Sequence, residues 1–481
     1  MFKKFCIAIF AFAVASCSSP VYLRGGIDDG SFSYDEITID PDTKQTFRVG
    51  VMLPLTGEAA KHGKGLKNAA LMAMEDINNP NLVLQFYDTK STPAGSRIAI
   101  ENALSQKVDM VVGPLMSSSL QSIADRVEEE GVPVIAFSTS EEVLRPGIYT
   151  LGLLIDEQVN RIMTYAADKG RKNFALLVPD NRTGIAVAKS AVKAAIRNDV
   201  VVSNIAFYPP NTTDFSGVLK QMTNYTERSE KVKKMKKNLA AAAKNGDEAA
   251  AVELKKLERF DTIDDVEFDA VLIPESGARL KSAIAMFGYY DVSGPKVKFL
   301  GTSLWESTSL SNESVAIGSW FPALSRIHSS YFLKKYNDTF SEKPSALSSL
   351  AYDAIALANA MSAKNKKYIK EYITTEDGYI GISGVFRIYE NGSNEHSLDI
   401  YEVRRNGNVV VSAAPKKLNH HEMRDLNKVV NVDSSYMPPK IFGKDEVLAQ
   451  SLIYGKVLPK PVEKAVEPEE DNLLESVDIL Y

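Results

Sequence analysis

From Thr46 onward, short apolar runs alternate with longer segments whose apolar residues recur every three or four positions, and this alternation restricts the possible folds more than any other feature of the chain. Phe47-Arg48-Val49-Gly50-Val51-Met52-Leu53 reads as a buried strand that ends in the turn Pro54-Leu55-Thr56-Gly57. Residues 63–78 then put Leu66, Ala69, Ala70, Ala73, Met74 and Ile77 on one helical face. The unit returns as strand 82–87 and helix 94–106, strand 109–113 and helix 117–130, and strand 132–137. A second series follows, with strands at 174–178, 200–207, 270–273 and 298–301 and helices at 184–197 and from 278. Strands separated by helices of this length build parallel sheets, because the helix is the crossover that returns the chain to the same sheet end. The expected fold is α/β, with two Rossmann-like lobes in series. Such sheets bind ligands beyond the carboxyl ends of their strands, so the expected site is the cleft between the lobes.

The lobes are expected to cover 47–150 with 318–370, and 151–317 with 371–412. The 481 residues leave room for two to three domains, and 44% hydrophobic with 24% charged residues is enough to build packed cores. Residues 225–261 break the alternation. They are rich in Ala, Lys, Glu and Leu around the turn Lys244-Asn245-Gly246-Asp247, which predicts a helical hairpin inserted in the second lobe. Val232, Met235, Leu239 and Ala242 of its first arm would meet Val252, Leu257 and Phe260 of its second. Lys231, Lys233, Lys234, Lys236 and Lys237 make the first arm basic, either as a solvated face or as a docking arm for an acidic partner. Residues 413–481 form a C-terminal extension, and the Pro- and Glu-rich stretch 459–481 is expected to be disordered.

The N-terminus predicts export. Lys3 and Lys4 precede an apolar run from Phe5 to Ala15, too short for a membrane-spanning helix of roughly 20 residues. Val14-Ala15-Ser16-Cys17 resembles the lipobox of bacterial lipoproteins, which implies removal of residues 1–16 and lipid on Cys17. Residues 17–46, rich in Ser, Gly, Asp and Thr, would be a flexible tether spanning roughly 30 Å. Ser18 stands where enterobacterial inner-membrane lipoproteins often carry Asp, so the sorting resemblance points to the outer membrane. Cys6 leaves with the signal and Cys17 is taken by lipid. The mature domain then has no disulfide and must be stabilised by its core.

No catalytic constellation is visible. His62, His328, His396, His420 and His421 have no metal-ligand spacing, and no G-x-S-x-G elbow, phosphate-binding loop or dinucleotide fingerprint occurs. No metal or cofactor is expected, and the chain is expected not to be an enzyme. A net charge of -5 gives no basic field for nucleic acid.

Val49 to Gly63, Gly113-Pro114-Leu115-Met116-Ser117-Ser118-Ser119, Gly131-Val132-Pro133-Val134-Ile135 and Ala351-Tyr352-Asp353-Ala354 together resemble type I periplasmic solute-binding proteins of the leucine-binding kind. Phe268 to Glu275, Leu300-Gly301-Thr302-Ser303-Leu304-Trp305, Gly384 to Ile388 and Ile400 to Val403 look most like the penicillin-binding protein activator (LppC) lipoproteins of alphaproteobacteria. That branch implies regulation of peptidoglycan synthases by protein contact. The wider family implies a substrate-binding protein for an ABC importer permease, taking an amino acid or similar small polar solute. Amino-acid-binding members would place the ligand carboxylate at Ser117, Ser138 and Ser140 and its ammonium at Glu275. Their aromatic walls would fall at His62 and Thr183, and Thr183 departs from that pattern. Serines at such places also cap helices, and Glu275 also fits a solvated loop acid.

Overall fold

The computed structural model describes residues 24–28, 31–35, 46–139, 143–326, 329–364, 369–375, 377–418 and 438–454. Cys17, Ser140, His328, His420, His421 and the stretch 459–481 lie outside the described residues. Within the span read as a tether, β1 (Arg24–Asp28) and β2 (Ser31–Asp35) pair as an antiparallel hairpin.

The first lobe carries a five-stranded sheet of β3 (Phe47–Leu53), β4 (Leu82–Asp88), β5 (Met110–Val112), β6 (Val134–Ala136) and β7 (Ile148–Thr150). The spatial order is β4-β3-β5-β6-β7 and every pair is parallel. Side chains alternate between the faces as the pleat requires. Val49, Val51 and Leu53 join α1 (Ala60–Ile77) in one core, while Met52 and Val111 face α2 (Pro93–Ser105) and α3 (Ser117–Glu130) in the other.

The second lobe begins with α4 (Ile155–Asp168), β8 (Asn173–Pro179), α5 (Arg182–Arg197), β9 (Val201–Tyr208) and α6 (Ser216–Met222). The inserted hairpin is α7 (Tyr225–Lys244) and α8 (Glu248–Leu257). After it come β10 (Ala270–Leu272), α9 (Gly277–Tyr289), β11 (Lys298–Leu300) and β12 (Trp320–Leu324). Strands β9-β8-β10-β11-β12 repeat the order of the first sheet.

The chain then returns to the first lobe. It forms α10 (Ser330–Phe340), α11 (Ala346–Ser362), α12 (Ile369–Ile373) and a small antiparallel sheet of β13 (Tyr379–Gly381), β14 (Gly384–Ile388) and β15 (Asn394–His396). Phe332, Leu350, Tyr379 and Phe386 share the core of β3 and α1. The last crossing leads to β16 (Leu398–Arg404) and β17 (Gly407–Ser412), which extend the second sheet antiparallel beyond β12. These crossings, after Leu324 and at Ser397, fall later than the 318 and 371 expected from sequence. Trp320 to Leu324 pairs with β16, and the small sheet packs on the first core.

Part of the C-terminal extension folds: β18 (Lys440–Phe442) pairs parallel with β9, and α13 (Glu446–Tyr454) buries Ala449 and Ile453 in the core beside α5. The hairpin arms keep only part of the expected faces: Val232 is buried and Leu239, Ala242 and Leu257 are half-buried. Met235, Val252 and Phe260 are 42%, 58% and 49% exposed. Ala250 and Leu254, on the same helical face as Leu257, turn inward in the second arm instead. No helix among the described residues is long and apolar enough to cross a membrane.

Candidate functional site

β5 ends at Gly113, whose φ of +100° suits glycine and where a Cβ would lie 2.1 Å from the Met52 carbonyl oxygen. The chain turns there into Met116, an extended residue that starts α3 without any side-chain cap. The first-turn N–H groups and the partial positive charge of the helix start are therefore directed at whatever lies beyond β5. Ser117 opens this helix, and its Oγ lies 2.8 Å from Oγ of Ser138, the buried residue that ends the segment after β6. The Thr150 hydroxyl donates to the Ser138 carbonyl and accepts from the Gly152 N–H at 3.0 Å, so the site is bonded to the first crossing between the lobes. Two of the sequence-derived residues thus stand in direct contact at the carboxyl ends of adjacent strands.

The hinge itself is tightly bonded. Asn394 Nδ2 donates to the Thr150 and Gly152 carbonyls, both at 2.8 Å, and His396 Nε2 lies 3.1 Å from the Leu151 carbonyl oxygen. The third crossing therefore grips the first.

Glu275 lies in Pro274-Glu275-Ser276-Gly277, after β10, and is buried rather than solvated. Tyr208, the last residue of β9, donates its phenol to Oε1 at 2.6 Å, and Arg279 Nη2 donates to the same oxygen. Arg279 Nε donates to Oε2 at 3.1 Å, and the Ser276 N–H lies 3.3 Å from it. Burial, with the Glu275 carboxylate beside it, pushes the Tyr208 phenol well up. Tyr208 and Arg279 were not singled out from the sequence. Arg279 had a readable signal, since an acid and a base four residues apart meet on a helix. Tyr208 had none, because only the sheet brings the end of β9 near the end of β10, with β8 between them.

His62, in the first turn of α1, and Thr183, in the first turn of α5, are both exposed. The His and acid side chains make no metal-binding group among the described residues.

The two-lobed α/β body, with polar groups gathered at its strand ends, has counterparts among known proteins. Residues 46–228 match the model of the periplasmic binding protein family. An uncharacterised protein of Rickettsia prowazekii is 22% identical over 202 residues, 41% of this chain and 54% of its own, so the match spans about half that relative's length. The branched-chain amino acid transporter substrate binding protein of Streptococcus pneumoniae, solved with isoleucine, superposes with a TM-score of 0.54 at 20% identity, covering 76% of this chain and all of that one (100%). A solute binding protein of an ABC transporter from Rhodopseudomonas palustris, solved with 3,4-dihydroxybenzoic acid, gives 0.55 at 16% identity, covering 77% and 99%. The fold is therefore that of the type I, leucine-binding-protein-like periplasmic binding proteins, and residues 46–228 are similar to their family in sequence as well.

Proposed function

We propose that this protein is a non-enzymatic binding protein, held by lipid on Cys17 at the periplasmic side of a membrane, whose interlobe cleft takes a small solute bearing a carboxylate. The observation that carries this reading is the Ser117–Ser138 hydroxyl pair at the uncapped start of α3. A helix N-terminus with free N–H groups and two hydroxyls is suited to an anion. The solutes held by the Streptococcus and Rhodopseudomonas proteins, isoleucine and 3,4-dihydroxybenzoic acid, share a carboxyl group and little else. An importer permease would be the membrane partner. Titration calorimetry against a panel of small carboxylates tests the reading. Ser117→Ala or Ser138→Ala should weaken the best ligand about 10- to 100-fold, the value of one hydrogen bond to a charged group. Absence of heat with every carboxylate would remove it.

The membrane attachment is tested by fractionation. Cys17→Ser should move the protein from the outer-membrane pellet to the soluble periplasmic fraction, and an unchanged distribution would discard the lipid.

The inserted hairpin favours a second reading, regulation of a penicillin-binding protein by contact. Arg228 fixes the hairpin's base to the lobe, donating to the Asp264, Thr223 and Tyr290 carbonyls and to Thr262 Oγ1 at 3.0–3.4 Å. Beyond that base, Lys233, Lys234 and Lys237 are exposed. Deleting residues 225–261 should abolish capture of a purified penicillin-binding protein by the full chain in detergent. Capture at wild-type levels would leave the hairpin no part in such contact.

A further inference from the structure

Resting on the carboxylate reading, we infer that the cleft selects acids that carry no α-ammonium group, and that Arg279 sets this preference by occupying Glu275. An ionised carboxyl group offers about four lone-pair positions, two on each oxygen. Here all are filled by the chain itself. Oε1 accepts from Tyr208 and from Arg279 Nη2, while Oε2 accepts from Arg279 Nε and the Ser276 N–H. Arg279 grips both oxygens from one helical turn away, in the two-pronged geometry that guanidinium makes best.

The guanidinium is fixed on a second side as well, since Nη1 donates to the Pro210 carbonyl. A ligand ammonium arriving at Glu275 would find no open acceptor and no net negative charge. To gain an acceptor it would have to displace Arg279 and leave that guanidinium without its partner, at a pair largely shielded from water: the Glu275 side chain is 6% exposed and that of Arg279 33%. Breaking one side of a shielded, hydrogen-bonded ion pair is costly. At the other end of the ligand, nothing on Ser117, Ser138 or the start of α3 distinguishes an amino acid from the same acid without its amine.

The experiment uses matched pairs that differ only in the ammonium group: leucine against 4-methylpentanoate, isoleucine against 3-methylpentanoate, and phenylalanine against 3-phenylpropanoate, each titrated calorimetrically into the full chain. The expected result is at least tenfold tighter binding of the acid without the amine in the pair that binds best. Arg279→Met, whose folding is checked by its melting transition, should expose Glu275 and narrow or reverse that ratio. Equal or tighter binding of the amino acid by the wild-type protein overturns the inference while leaving the carboxylate reading standing. Absence of binding by both members of every pair, up to millimolar concentration, removes the carboxylate reading and this inference with it.

Discussion

Asp353→Ala should lower the stability of the fold by about 3–5 kcal/mol. Asp353 is fully buried on α11 and its carboxylate accepts from the Ile382 N–H at 2.9 Å, the Ser383 N–H at 3.0 Å and the Ser383 hydroxyl. These donors form the turn between β13 and β14. Alanine would leave two buried backbone N–H groups without an acceptor, and each such orphan costs about 1–3 kcal/mol. The cavity adds to this, and the turn cannot move in to close it without losing the packing of Ile382. Asp353→Asn keeps one carbonyl oxygen and should cost clearly less. Gly381→Ala tests the same contact from the other side, because a Cβ there would lie 2.3–2.6 Å from the carboxyl atoms. Urea unfolding with an unchanged slope is the measurement. A loss below about 1 kcal/mol for Asp353→Ala would show that the turn does not depend on this carboxylate.

The fate of Asp353 shows what the sequence could and could not convey. Ala351-Tyr352-Asp353-Ala354 was readable as a family-like segment, but its role was not. A helix residue that anchors a turn 29 positions away leaves no periodic trace. The two lobes were legible because a buried parallel strand needs a run such as Val49–Leu53, and its crossover helix needs an apolar stripe such as Leu66, Ala69 and Ala73. Strand β18 was not, since Lys440-Ile441-Phe442 has no alternation and becomes a strand only by pairing with β9.

At the site, Ser117 and Ser138 came from the family resemblance alone, and the structure adds that their hydroxyls lie 2.8 Å apart. The resemblance also pointed to Glu275, but the state of that acid was hidden. The Tyr208 phenol reaches it across 67 positions, and nothing in Pro274-Glu275-Ser276-Gly277 announces that the acid is already satisfied. The exposed Met235, Val252 and Phe260 teach the converse. A helical hairpin fixes the faces of its arms only when a turn geometry sets their rotation, and Asn245-Gly246 allows several.

The second large expected effect is a loss of stability in mild acid that depends on His396. Its ring is fully buried at the last strand before the third crossing, and burial pushes its pKa down from 6.5 to about 4. Nε2 faces the Leu151 carbonyl oxygen and must therefore carry the proton of the neutral ring, which leaves Nδ1 as a buried atom without a hydrogen-bond partner. A second proton would create a buried charge and a donor with nothing to receive it.

The charged groups nearby do not reverse this. Glu395, the preceding residue on β15, favours the charged form only weakly against burial, and Glu157 accepts from the His396 backbone N–H. A histidine held below its unfolded value stabilises the native state fully above pH 6.5. The contribution then falls as the pH drops towards 4, because the unfolded chain takes up the proton that the native chain refuses. Over that window the loss should reach about 3 kcal/mol.

Carboxylates elsewhere also respond to acid, so the decisive quantity is a difference between two proteins. Wild-type stability should fall by about 3 kcal/mol more than that of His396→Gln between pH 6.5 and 4, and parallel curves would remove His396 from the account. The position of the ring also sets where the acid effect begins. Nε2 holds the first crossing, and Asn394 on the same strand holds the carbonyls of Thr150 and Gly152. Protonation therefore strikes the bonds between the two connecting segments rather than the cores of either sheet. Amides at 150–152 and 394–397 should lose hydrogen-exchange protection at a higher pH than those of β3 or β8, and simultaneous loss everywhere would mean that the crossings do not open on their own.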